Sequence, residues 1–230
     1  HQLNTGPARK AIHEEFIKQI THARGMTGIL NMITNDKVIP TPGAVLLSAE
    51  LLARGTYEEE GLGNAILIDM GGATTDIHSV LPDLDEMDDE EKGLIVNEEK
   101  QATFRTVEGN LGLRVSASGI VNNVGEKAVL KYVDFETDVN NFKNYIEKIS
   151  ENTEYIARNE KEKNYDMALA INAIKLALKR HAGYMAEEYK PEKGIVPGTP
   201  VGRDLREVDT VICVGGIFAH LSSEKIEKIV

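Results

Sequence analysis

The stretch that most constrains this chain is "ILIDMGGATTDIHSV", Ile66 to Val80. Asn64 to Met70 is a short apolar run, the pattern of a buried strand. Thr74 to Val80 alternates in the manner of a partner strand. Between them stand Gly71 and Gly72, so the strands are expected to fold back on each other. A tight β-hairpin needs nothing more than this. The same turn can also hold a phosphate. Glycines permit positive φ and let backbone N–H groups approach an anion closely. Thr74 and Thr75 add hydroxyls. Asp69, at the end of the first strand, can hold Mg2+ through water, and Asp76 can fix the hairpin or reach a metal-bound water.

A second element has the same grammar. "VICVGGIF" is an apolar run that enters Gly215-Gly216 and continues as a helix. A ligand there would meet free N–H groups and the positive end of a helix dipole. By itself this reads more simply as a plain strand-to-helix turn. Two such turns in one chain suggest two walls of one nucleotide site. Charge narrows the ligand. The formal net charge is -11, which argues against nucleic-acid binding through a phosphate backbone. A single nucleotide remains compatible, because backbone amides and Mg2+ offset phosphate charge. Cys213 is the one cysteine. It reads as a small buried residue, excludes an intrachain disulfide, and fits a cytoplasmic protein. No run approaches the roughly 18 apolar residues of a membrane helix.

The remaining segments set the fold class. A helix is expected from Thr5 to Gly25, and another from Thr41 to Gly55 that is apolar nearly all round and so buried. Ala102 to Val107 reads as a strand. Helices are expected at about Asn122 to Tyr132, Val139 to Ile149 and Tyr165 to Met185. "PEKGIVPGTPVGRDL" is a loop or hairpin. The seven acids from Asp83 to Glu91 read as a solvated loop, with an acidic docking patch as the alternative. Strands mixed with helices and glycine turns at strand ends give an α/β protein.

Several of these pieces resemble a known family. "DMGGATTD" looks like the second phosphate loop of the superfamily of acetate and sugar kinases, heat-shock chaperones and actin, and "VICVGGIF" looks like its adenosine motif. More narrowly, "PTPGAVLLSAELLARG", "AILIDMGGATTDIHSV", "RTVEGNLGLRVSA", "KRHAGYM" and "VICVGGIFAH" occur in this order in the MutL-type proteins associated with glutamate mutase. The resemblance covers nearly the whole chain, and "TVEGNLGLR" is its most specific piece. It implies a ribonuclease-H-like or actin-like ATPase lobe with a mixed sheet and a helical insertion. Residues 1–63 would join lobes, 64–114 and 191–230 would form the nucleotide-binding core, and 115–190 the insertion.

The resemblance also implies chemistry: binding of ATP with Mg2+, and service to an adenosylcobalamin-dependent mutase that the protein protects or reactivates. Asp69 would be the catalytic residue and organise Mg2+, with Asp76 beside it. Gly71, Gly72, Ala73, Thr74 and Thr75 would take the phosphates, and Gly215, Gly216 and Ile217 the adenosine. Arg105, Glu108, Asn110, Arg114, Arg180 and His181 would serve the cleft or a partner, or else brace a turn and a helix end. An oligomer is compatible with this reading. Two departures bear on it. Ala73 stands where heat-shock chaperones carry a third glycine. The superfamily also uses a first Asp-x-Gly loop, whereas Asp-x-Gly occurs here only at Asp69. The expectation is therefore an excerpt of a two-lobed protein, with little ATP turnover by itself. A small-molecule kinase, a hydantoinase-type ATP-dependent hydrolase and an actin-like scaffold are the competing readings.

Overall fold

The computed structural model describes residues 41–82, 103–192, 194–203, 205, 206 and 208–229, together with Pro7, Ala11 and Glu15. The chain divides into two compact units, His1–Ser48 and Ala49–Val230. The helix expected from Thr5 to Gly25 and the acidic loop from Asp83 to Glu91 lie outside the described residues, apart from the three single positions named. Helix α1 (Thr41–Arg54) crosses the division between the units and ends at Gly55, as its sequence grammar requires. It is less buried than its composition suggests. Ala49 and Ala53 are covered, while Leu47, Leu51 and Leu52 are 53%, 56% and 44% exposed.

The second unit is built on a four-stranded mixed sheet. Its strands are β1 (Ala65–Met70), β2 (Thr75–Val80), β3 (Thr103–Glu108) and β6 (Thr210–Val214). The spatial order is β3-β2-β1-β6. The first three form an antiparallel meander, and β6 lies parallel to β1 on its other side. β1 and β2 are therefore central, and β2 is buried at every position. Successive side chains point to opposite faces. Ile66, Ile68, Met70 and Ile77 face the main core. Asp69, Asp76 and His78 face the other way.

Helices α2 (Ala117–Val124), α3 (Glu126–Leu130), α4 (Val139–Glu151) and α5 (Glu160–Ala182) follow β3. The single helix expected at 122–132 is two, starts earlier, and breaks at Gly125, where φ is 86°. α5 starts five residues before Tyr165 because the side chain of Asn159 accepts the N–H of Glu162, capping its first turn. It ends at Ala182 rather than Met185, because the chain turns at Gly183 into β4 (Gly183–Lys190), which pairs with β5 (Gly194–Gly202). The Pro- and Gly-rich stretch is thus the second half of a hairpin. α5 packs across β2 and β3 on one side and against α2 and α3 on another. Thirteen of its residues are buried, so it forms the axis of the core. Short helices α6 (Gly216–His220) and α7 (Ser223–Glu227) follow β6. No helix among the described residues is long and apolar enough to cross a membrane.

Candidate functional site

Because β6 runs parallel to β1, the two glycine turns leave the sheet at the same end. Asp69 stands in register with Val214, so Met70-Gly71 and Gly215-Gly216 follow side by side. Gly215 has φ 126°, and a Cβ there would lie 2.1 Å from Met70 O. Only glycine lets β6 turn this close to the end of β1. Gly216 has nothing within 4 Å of its Cβ position. The helix it opens has only five residues, so the dipole expected at this turn is small.

The first turn is closed by its own Gly71 N–H, which donates to Thr74 O at 2.9 Å. The carbonyls of Gly71 and Gly72 point into the loop after β3, where they accept the N–H groups of Leu113 and Arg114 at 3.0 and 2.8 Å. With the carbonyls so committed, the N–H groups of Gly72, Ala73 and Thr74 have no acceptor among the described residues. Unpaired amides at a turn suit an anion. Neither Gly71 nor Gly72 has φ in the left-handed region, contrary to the expectation. A Cβ at either would meet its nearest neighbour at 3.4 Å. The glycine that the turn strictly requires is Gly112, whose Cβ would fall 2.2 Å from the Ala73 carbonyl carbon. "TVEGNLGLR" is thus a clasp laid over the turn. Thr75 belongs to that clasp: it is fully buried, and its Oγ1 donates to Leu111 O at 2.8 Å.

A cavity of about 310 Å³ opens beside both turns. Gly71 and Gly72 lie on one wall, Gly216 and Ile217 on a second. The third wall is the segment 153–157 between α4 and α5, with Lys163 and Arg114 beside it. Of the residues expected to take a nucleotide, Gly71, Gly72, Gly216 and Ile217 line this cavity. Ala73 is at the exposed tip of the turn and Thr74 is partly exposed beside it, while Gly215 and Thr75 lie behind as spacer and anchor.

Asp69 and Asp76 are directly opposite each other across β1 and β2, on the face away from Met70. Burial pushes both carboxyls up in pKa; the nearby Arg105 opposes the rise in each. Arg105 also donates to Asp76 Oδ1 at 3.2 Å, so Asp76 is committed and Asp69 carries the freer carboxylate. No group of three or more His, Cys, Asp or Glu comes together among the described residues. A cation at Asp69 would therefore keep water and ligand oxygens in most of its positions, as Mg2+ does.

The other expected residues divide. Arg180 pairs with Glu108 and donates to Asn123 Oδ1 at 2.9 Å. His181 is buried, with Nδ1 2.8 Å from Thr106 Oγ1 and Nε2 2.8 Å from Ser79 Oγ. Burial, with smaller effects from Arg203 and His78, pulls its pKa down to about 4. These residues tie the end of α5 to β2 and β3. Asn110 is exposed in the loop after β3. Arg114 alone of the group reaches the cavity. His78 is fully buried with neither ring nitrogen hydrogen-bonded, and burial, then Arg105, lowers its pKa to about 4. Reading the residues alone missed Gly112 as the clasp, and Tyr155, Lys163 and Asp166 at the cavity. The repeated glycines of "TVEGNLGLR" signalled the first; the other three come from α5 and the segment before it, where no motif marks them.

The family model described as "MutL protein" matches residues 1–230. The chain belongs to the MutL family. This is the family that the order of the five motifs pointed to. The chain is 37% identical over 220 residues to "Protein MutL" of Clostridium tetanomorphum, a match covering 95% of the chain and 46% of that protein. The chain thus spans about half the length of the curated MutL relative it matches. No solved structure matches.

Proposed function

We propose that this chain is the nucleotide-binding lobe of a MutL-family ATPase that protects or reactivates an adenosylcobalamin-dependent mutase of the glutamate mutase type. The observation that carries the nucleotide reading is the first turn. Three consecutive N–H groups, Gly72 to Thr74, stand without acceptors among the described residues, beside a cavity that the second glycine turn also lines. The sheet supports an actin-like lobe, since the meander puts the phosphate turn at its first hairpin and parallel β6 brings the second turn alongside. Membership of the MutL family supports the link to glutamate mutase.

The open amides of the first turn suit the phosphates of Mg-ATP, while Asp69 stands at the end of β1 on the face away from the cavity. The amides of Gly72, Ala73 and Thr74 would hold phosphate oxygens, and Asp69 would hold the hydrated cation. Ile217 and the 153–157 segment would enclose the nucleoside. ATP, when bound, supplies a phosphoanhydride whose cleavage can drive movement between lobes. The chain's own part is to bind, orient and screen that group. Calorimetric titration with Mg-ATP tests this. Saturable binding, weakened at least about tenfold in Asp69→Ala through loss of a charge-assisted contact, is the expected result. An absence of binding, or equal binding by the variant, removes the reading. Product analysis with phosphoryl acceptors separates a kinase, and ATP-dependent pelleting separates a scaffold.

A further inference from the structure

Arg114 makes contacts that the proposed phosphate chemistry does not use. Its backbone N–H holds Gly72 O at 2.8 Å, at the root of the phosphate turn. Its guanidinium Nη1 donates to Leu113 O at 2.7 Å, and the rest of the group reaches the 153–157 segment and α5. Nε donates to Tyr155 O at 2.9 Å, in the middle of the 153–157 wall. Nη1 and Nη2 grip both oxygens of Asp166 at 3.1 and 2.9 Å, a bidentate pair. Tyr145, from α4, donates to the same Asp166 at 2.9 Å, and Ser150 Oγ reaches Arg114 O at 3.3 Å. The pair is well covered, with side-chain exposures of 15% and 9%. One residue therefore spans the turn, the opposite wall, and the helices on either side of that wall.

Among the described residues, the wall's other anchors sit on Tyr155, whose side chain is buried in the core. Tyr155 N–H bonds Asn152 O, and its hydroxyl meets Lys148 and Glu162. Among the described residues, Ile156 is 57% exposed and makes no hydrogen bond. Its peptide nitrogen is joined to the Tyr155 carbonyl, whose oxygen Arg114 Nε holds. The guanidinium is already matched by a carboxylate, so it offers little net charge to a ligand.

Resting on the nucleotide reading above, we propose that Arg114, fixed by Asp166 and Tyr145, is a positioning residue that sets the 153–157 wall at the distance a nucleoside needs from the phosphate turn. It determines preference for a nucleoside triphosphate over inorganic triphosphate rather than contributing to phosphate affinity. Replacing it frees the wall and leaves the turn's amides in place, because the bond to Gly72 O is made by the backbone.

The test compares Mg-ATP with magnesium tripolyphosphate on the full chain, as wild type, Arg114→Gln, and the charge-balanced pair Arg114→Gln with Asp166→Asn. Wild type should bind ATP more tightly. In both variants that advantage should fall about tenfold, the scale of a lost charge-assisted hydrogen bond, with tripolyphosphate binding nearly unchanged. Equal losses for the two ligands, or none, would overturn the proposal, since Arg114 would then be a phosphate contact or a bystander. Amide exchange of the ligand-free protein reads the same claim without any ligand. Exchange across 153–157 should quicken in Arg114→Gln and in the milder Arg114→Lys, while helix α2 keeps its protection. An unchanged rate in this wall also overturns it. Wild type that binds neither ligand removes the nucleotide reading instead.

Discussion

The two glycine turns share a motif but are held in different ways. The first, Gly71 to Thr74, is fastened from outside. Leu113 and Arg114 take its carbonyls, Leu111 takes the Thr75 hydroxyl, and Gly112 lies flat on Ala73. The second, Gly215-Gly216, is fastened from within, by one left-handed glycine pressed against Met70 O. The first is therefore a turn whose N–H groups are exposed because its carbonyls are engaged elsewhere. The second is a spacer that brings Gly216 and Ile217 to the cavity. In both places the glycine that the backbone cannot replace is not the one that faces the cavity.

The largest effects should fall on those hidden glycines. Gly112→Val puts atoms 2.2 Å from Ala73, and Gly215→Ala forces both a 2.1 Å contact and an L-residue at φ 126°. Each should cost on the order of 3 kcal/mol or more, the scale of overpacking added to backbone strain. Urea denaturation checks this. Losses below about 1 kcal/mol at either position would mean that the turns tolerate a separation from their neighbours that the close packing denies.

Acid should next test how the sheet behind the first turn is held to α5. Strands β2 and β3 are tied to the end of α5 by a titrating clamp, His181 between Ser79 and Thr106. Its folded pKa, about 4, lies below the ordinary 6.5. Between those values the unfolded chain binds the extra proton, so stability rises with pH and is lost as pH falls. From pH 7 to 5 the loss from this group is about 2 kcal/mol. Buried His78, also near 4, adds in the same direction, while Asp69, Asp76 and Asp166, raised by burial, act oppositely at the lower end. The clean measurement is a difference: wild type should lose about 2 kcal/mol more than His181→Gln over this range. Equal slopes would show that the imidazole titrates normally.

How much of this was legible follows from the range of the interactions. The β1–β2 hairpin, β3 and β6 were readable because apolar runs and glycine punctuation are local. The start of α5 was misplaced, because Asn159 was not recognised as its cap. The burial of α1 was overestimated, because composition cannot say what covers a helix. The motifs named Gly71, Gly72, Gly216 and Ile217, which do line one cavity. They could not name Asp166 or Tyr155, whose roles depend on α4 and α5 arriving beside the turn. Thr75 was read as a ligand group on its hydroxyl alone; only the position of Leu111 shows that the hydroxyl is occupied. Gly71 and Gly72 were credited with unusual φ, when their turn needs only room.

A smaller effect tests the outside fastening of the first turn. Thr75→Val keeps the shape and removes the hydrogen bond to Leu111 O, leaving that buried carbonyl without its partner. The expected cost is about 1–2 kcal/mol, with a weaker grip on the loop that Gly112 presses down. Thr75→Ser, which keeps the hydroxyl, should retain most of that stability. If valine is neutral, the clasp is held by the backbone bonds of Leu113 and Arg114 alone.

The smallest expected change in stability is at Gly216, and there the comparison between holding and facing is sharpest. Its φ is ordinary and its Cβ position is open, so Gly216→Ala should move stability by no more than about 0.5 kcal/mol, with a slight gain from stiffening the unfolded chain. Its neighbour one residue earlier should cost several times that. Yet Gly216 lines the cavity and Gly215 does not. A methyl at 216 should therefore weaken Mg-ATP binding in a protein that unfolds at the wild-type urea concentration. If binding and stability are both untouched, the second turn is a structural corner, and the cavity's ligand rests on the first turn and the 153–157 wall.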